Sequence, residues 1–145
     1  MSRFALALVV TLAGCSDSST RIPAGSFAIH SVVEGGTPMP HWDPLEEEVA
    51  VDATPALTGA EVEKIEEGTD EFTGLPQLVV HFTERGATAF SDFTAAHVDQ
   101  KIAFVVDGRV ASAPFVAERI SGGRAMLTAT PSQLPAMRAA LGFED

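Results

Sequence analysis

The stretch Ile102 to Pro114, I-A-F-V-V-D-G-R-V-A-S-A-P, decides how the rest of the chain is read. Five apolar residues, Ile102 to Val106, run directly into Asp107-Gly108, and Arg109, Val110 and Ala111 follow. Asp-Gly between two strand-like runs signals a hairpin, because a tight two-residue turn needs positive φ at its central positions. Ser112-Ala113-Pro114 ends the second strand, since proline has no N–H to give to a ladder. A hairpin is a scaffold and carries no reaction of its own.

On the N-terminal side of the hairpin, Thr83 is placed to cap a helix from Glu84 to about Val98. Its Ala87, Phe90, Phe93, Thr94 and His97 recur at helical spacing and make one stripe toward a sheet. On the C-terminal side, Ile120 to Arg124 is a glycine turn and Ala125 to Ala129 a strand. A last helix follows from about Ser132 to Leu141, with Leu134, Met137 and Leu141 inward. Pro135 is tolerable in its first turn, and Gly142 is placed to end it.

Further upstream, Leu78 to Phe82 reads as a strand and Gly68 to Pro76 as a loop. Thr58-Gly59-Ala60-Glu61 has the form of a capping box, which predicts a short helix to about Glu67 with Val62 and Ile65 on one face. Val49 to Val51 suits a short strand, and Glu46 to Glu48 a solvated acidic run. Gly35 to Pro44 holds three prolines and the only tryptophan, Trp42, and predicts an exposed, irregular loop. Ser26 to Val33 has strand character, with Phe27, Ile29 and Val32 as inward candidates. Hairpins mixed with isolated helices predict an α+β fold: a small, mainly antiparallel or mixed sheet with two to three helices on one face.

The chain has 145 residues, 46% of them hydrophobic, and a formal net charge of −11. Residues 26 to 145 are enough for one domain with a real core. Nine basic against twenty acidic residues argue against nucleic acid, whose phosphates need Lys and Arg, and against electrostatic docking on anionic lipid. The acidity serves solubility.

Residues 1 to 14 read as a signal segment. Met1-Ser2-Arg3 is a short basic start, and Phe4 to Ala13 is an apolar run too short to span a bilayer. It closes on Leu12-Ala13-Gly14-Cys15, which resembles the lipobox of bacterial lipoproteins, whose cysteine is lipidated and becomes the first mature residue. Cys15 is the only cysteine, so no disulfide forms within the chain. Removal of Arg3 leaves about −12 by the same count. Ser16 to Gly25 is a polar tether. There is no second apolar run of spanning length, so a lipid anchor is the expected membrane attachment. Ser16 after the cysteine slightly favours the outer membrane, by resemblance to the enterobacterial sorting rule.

Four motifs in register resemble the SecD family. They are Pro55 to Glu61 (P-A-L-T-G-A-E), Glu84 to Phe90 (E-R-G-A-T-A-F), Ile102 to Pro114, and Gly122-Gly123-Arg124-Ala125. SecD and SecDF are bacterial protein-export membrane proteins, and the similar part is the head subdomain of their first large periplasmic domain. The resemblance covers about Val49 to Leu141, with a weak start near Phe27. It implies an α+β head outside the cytoplasmic membrane that contacts preprotein emerging from the translocon. The family's transmembrane helices and the base subdomain beneath the head have no counterpart in these residues, so proton-driven work is not carried over.

Chemistry is sparse beside this scaffold. His30, His41, His81 and His97 include no pair at metal-ligand spacing and have no cysteine partner, so packing or surface roles are expected and no cofactor or metal is. Ser112 and Ser121 lack the G-x-S-x-G setting of a nucleophile elbow. Gly122-Gly123-Arg124 lacks the strand-to-helix context and lysine of a phosphate loop and reads as a plain turn. No small-molecule substrate is evident. Asp107 and Gly108 serve the turn. The functional alternative is that the tip and edge (Asp107, Gly108, Arg109, Ser112, Pro114 and Val116) contact an extended polypeptide by adding a strand to the sheet. The expected function is a non-enzymatic, lipid-anchored module binding polypeptide, an envelope protein or the translocon. The other reading is an envelope lipoprotein that reuses the fold without an export role.

Overall fold

The hairpin forms as its turn chemistry demands. Asp107 and Gly108 take φ of 52° and 76°, the paired left-handed conformation of a two-residue turn whose twist matches its strands. The structure, a computed structural model, describes residues 22–142 apart from residue 24. The signal segment 1–14, Cys15 and most of the 15–25 tether lie outside the described residues.

In chain order the strands are β1 (Phe27–Met39), β2 (Val49–Val51), β3 (Leu57–Thr58), β4 (Val62–Thr69), β5 (Pro76–Phe82), β6 (Ile102–Val106), β7 (Arg109–Ser112) and β8 (Arg124–Thr128). The helices are α1 (Glu84–Ala96) and α2 (Leu134–Ala140), with a single 3-10 turn at Gly59–Glu61. The class is α+β, and the strands divide between two sheets. One runs β2-β1-β6-β7 with β3 also on β1, and the other runs β4-β5-β8. The pairings between named strands are antiparallel.

Both sheets turn apolar faces onto one core. Phe27, Ile29, Leu57, Ile102, Phe104 and Val106 come from the larger sheet, and Ile65, Leu78, Val80, Phe82, Ala125 and Leu127 from the smaller. Phe90 of α1 and Met137 of α2 complete it, and Phe90 sits 4.8 Å from the Phe82 ring. A fully buried side chain of this size contributes about 1.5–3 kcal/mol relative to leaving it exposed. β6 is buried on both faces. Ala103 and Val105 point away from the main core into a smaller cluster with Val51 and Val110. That is why Ile102 to Val106 is an unbroken apolar run and not an alternating one.

α1 begins where the sequence predicts. Thr83 accepts the Gly86 N–H at 3.0 Å, and Phe90 and Thr94 are buried along the stripe. Thr94 then pins the approach to β8: its hydroxyl donates to the Phe90 carbonyl and accepts the Ile120 N–H, both at 2.9 Å.

Two expectations are corrected. The capping box is real, with Thr58 Oγ1 accepting the Ala60 N–H and Glu61 Oε1 accepting the Thr58 N–H at 2.8 Å. It opens only one 3-10 turn, after which Val62 to Glu67 is strand and not helix. A bulge between Val62 and Lys64 inserts an extra residue, so Val62 and Ile65, three apart, both face inward as they would on a helix.

The Gly35–Pro44 segment is also more ordered than an irregular loop. β1 runs on to Met39, and both Val32 and Thr37 stand opposite Val51, so residues 33–36 bulge out between them. The strand thus serves β6 with its first half and β2 with its second.

Candidate functional site

The hairpin tip is exposed at Asp107, Gly108 and Arg109, and Trp42 is brought to it from more than sixty positions away in the chain. The indole lies half-buried against the main core, its Nε1–H donating to the Val106 carbonyl at 2.9 Å. The Arg109 guanidinium stacks over its ring, 5.0 Å from the centroid. The tip therefore presents a cation on an aromatic plate anchored in the fold, with the exposed Asp107 in the same turn.

Backbone groups decide whether this hairpin can take another strand. Val110 donates its N–H to the Pro40 carbonyl at 2.8 Å and accepts the Trp42 N–H at 2.9 Å. The chain's own Pro40–Trp42 segment therefore already covers the outer edge of β7 at that point. Val116 is buried; its N–H goes to the Gln100 carbonyl and its carbonyl accepts the Asp99 N–H. The Pro114 carbonyl accepts the Ile102 N–H at 3.0 Å. Ser112 is half-buried and pairs with Phe104. Of the sequence-chosen residues, Asp107, Arg109 and Pro114 are exposed and can touch a partner through side chains and Gly108 through its backbone, whereas the backbone of Val116, like that of the neighbouring Val110, is already bonded within the fold.

Spacing did not single out Phe115. It is 68% exposed, with Lys101 Nζ 5.2 Å from its ring centroid. Its signal in the sequence was the alternation Ala113-Phe115 against Pro114-Val116, which puts Phe115 outward once Val116 is inward.

The histidines find separate partners. His30 is buried with Nδ1 2.7 Å from the Asp52 carbonyl, His41 Nδ1 accepts the Asp43 N–H, and His97 Nδ1 lies 2.8 Å from the Phe93 carbonyl. His81 meets Glu66 at 2.6 Å on the outer face of the smaller sheet. That hydrogen bond, helped by the Lys64 charge, holds the Glu66 carboxyl below the usual carboxylate range. The pair is solvent-facing, and a proton relay enclosed in a cleft is not formed there. Among the described residues no three His, Cys, Asp or Glu side chains converge as metal ligands, and no helix is long and apolar enough to cross a membrane.

This arrangement of two sheets, one shared core and a hairpin at the rim has relatives. The family model for the SecDF P1 head subdomain matches residues 37–143. The chain belongs to this family. The protein translocase subunit SecD of Rhodobacter capsulatus is 37% identical over 78 residues, covering 54% of this chain and 14% of that protein. The protein translocase subunit SecDF of Thermus thermophilus is 37% identical over 87 residues, covering 60% of this chain and 12% of its own length.

The chain thus spans a small part of the curated relatives it matches. Among solved structures, SecDF described as a membrane component that enhances protein export superposes with a TM-score of 0.64 at 25% identity, over 90% of this chain and 70% of that one. SecDF in its super-membrane-facing form gives 0.63 at 25% identity, over 84% of this chain and 18% of that one.

Proposed function

We propose that this SecD-head chain is a non-enzymatic module of the bacterial cell envelope that binds extended polypeptide or a translocon protein and assists protein export. In this reading residues 1–14 are removed, Cys15 carries the lipid, and the outer membrane is slightly favoured over the inner as its anchor. The single observation that carries the export reading is the match of residues 37–143 to the SecDF P1 head. Support for a protein partner comes from the rim: Arg109 stacked on Trp42, the exposed Asp107, Gly108 and Pro114, and the exposed Phe115. Aromatic and arginine side chains of this kind are the usual anchors of protein contacts. Ser112 flanks this rim, and Val116 supports it from within the core.

The test is an in-vivo photo-crosslinking scan with probes at Trp42, Arg109, Ser112 and Phe115, read by mass spectrometry, together with secretion in a deletion strain. Crosslinks to many unrelated exported chains and a secretion defect are expected. Normal secretion with crosslinks to one envelope protein would replace the export role by that of an envelope lipoprotein reusing the fold.

A further inference from the structure

Strand addition needs a run of backbone N–H and C=O groups that point outward and meet nothing. The edges of this fold are not equal in that respect. β2 and β3 are three and two residues long. β4 carries the Val62/Lys64 bulge and the acidic Glu63, Glu66 and Glu67. β7 has its Val110 groups taken by Pro40 and Trp42. Each of these is a recognised way of blunting an edge. β8 lacks the bulge, the extreme shortness and the backbone cover, and carries a single charge, Arg124. R-A-M-L-T contains no proline, glycine or bulge, and among the described residues it pairs with β5 alone. β7 is the nearest strand outside its sheet, and no hydrogen bond joins the two.

The register tells which β8 groups face out. Phe82 donates its N–H to the Gly123 carbonyl and Ala129 donates to the Pro76 carbonyl, both at 3.0 Å. Between these two bonds the antiparallel alternation commits the backbone groups of Ala125 and Leu127 to Val80 and Leu78. The N–H and C=O groups of Arg124, Met126 and Thr128 therefore point away from β5 and meet no hydrogen-bond partner among the described residues. Their side chains are exposed on the outer face, Met126 at 58%, while Ala125 and Leu127 are in the core.

We propose that the β8 edge accepts an extended segment of another polypeptide as a fourth strand of the smaller sheet. The proposal rests on the polypeptide-binding reading above and names where and how the segment is held. Only an extended backbone offers a donor and an acceptor at every second residue to match Arg124, Met126 and Thr128. Side chains then set a preference: an apolar residue opposite Met126, and an acidic or uncharged one opposite Arg124, because like charges directly across a sheet repel. A second copy of this chain is the poorer occupant, since each copy carries a net charge of −11 and the two repel.

The experiment is amide hydrogen exchange by NMR on the full chain, with a fluorescently labelled, reduced and carboxymethylated unfolded protein as probe. The amides of Arg124, Met126 and Thr128 exchange readily in the free chain and are slowed by about tenfold or more when the probe binds. Met126→Pro deletes one outward N–H and leaves the bonds to β5 in place, as proline at an edge position does. It is expected to weaken probe binding by about tenfold with an unchanged circular dichroism spectrum. If that variant unfolds, the exchange measurement on the unaltered chain decides. Protection confined to Asp107–Ser112 would overturn the β8 edge and leave polypeptide binding standing. No probe binding by the unaltered chain would overturn both. Slowed exchange at β8 without probe, rising with the chain's own concentration, would identify a second copy as the occupant and overturn the proposal.

Discussion

Gly86 lies at the third position of α1, inside the E-R-G-A motif, and Gly86→Ala should destabilise the protein although it improves helix propensity. In an exposed helix, glycine to alanine is worth about 1 kcal/mol in favour of folding. Here a Cβ would run into the Glu61 carbonyl oxygen and lie 2.8 Å from the Glu61 Cβ, a separation that real Cβ atoms essentially never show. The obstacle is backbone, so it cannot rotate away. The same Glu61 carbonyl accepts the Thr83 N–H at 2.9 Å, and Thr83 caps the helix.

Overpacking of this kind costs about 1–3 kcal/mol. Disturbing the Glu61–Thr83 bond adds about 0.5–1.5 kcal/mol. After the propensity gain the net loss is about 0.5–3.5 kcal/mol, or roughly 2–14 °C in Tm for a domain of this size. Urea denaturation should show a lower midpoint with an unchanged slope. Stabilisation by about 1 kcal/mol, the value for an exposed helical glycine, would refute the claim that α1 docks on the 3-10 turn through this residue.

Three further outcomes are expected. Thr94→Val keeps the shape of a fully buried side chain but orphans the Ile120 N–H; denaturation should show a loss of about 1–3 kcal/mol, and a change near zero would remove Thr94 as the pin between α1 and the approach to β8. Trp42→Phe removes the bond to the Val106 carbonyl and should cost about 1 kcal/mol, while Arg109→Ala should shift the emission of the sole tryptophan as its stacked cation leaves. His81→Ala should let the Glu66 carboxyl titrate back toward the usual range, followed by NMR of its side chain. The sign follows from the lowered value in the fold: the His81 contact stabilises above the ordinary carboxylate range, and its contribution is lost as the pH falls through the folded value. A Glu66 titration unmoved by the substitution would show that Lys64 alone holds it down.

The hairpin, α1, α2 and the strands expected at Val49–Val51, Leu78–Phe82 and Ala125–Ala129 (the last observed as Arg124–Thr128) were all legible beforehand, because each is written in neighbours within a few residues: Asp-Gly, a threonine cap, a stripe at helical spacing. The error at Val62–Glu67 has a physical cause. A bulge gives a strand the three-residue spacing of a helix, and bulges are set by the partner strand, which local periodicity cannot register. Trp42 was equally opaque. Its place on Val106 and under Arg109 depends on β1 bulging at residues 33–36 before it runs on to Met39, and Gly36 in that bulge lies close against the Val51 carbonyl and leaves no room for a side chain. The sequence pointed to the hairpin rim as the contact surface; the spent groups of Val110 and the open groups of β8 appear only once the strands have chosen their neighbours.

Local chemistry along the chain determined which segments turn, cap and extend, and the four registered motifs determined the family. Tertiary structure alone decided that the strands divide between two sheets, that β6 is buried on both faces, and which edges remain open. The reason is one of range. Turn and cap preferences are paid within a single segment, whereas an edge is defined by the absence of a neighbour, and neighbours come from distant parts of the chain.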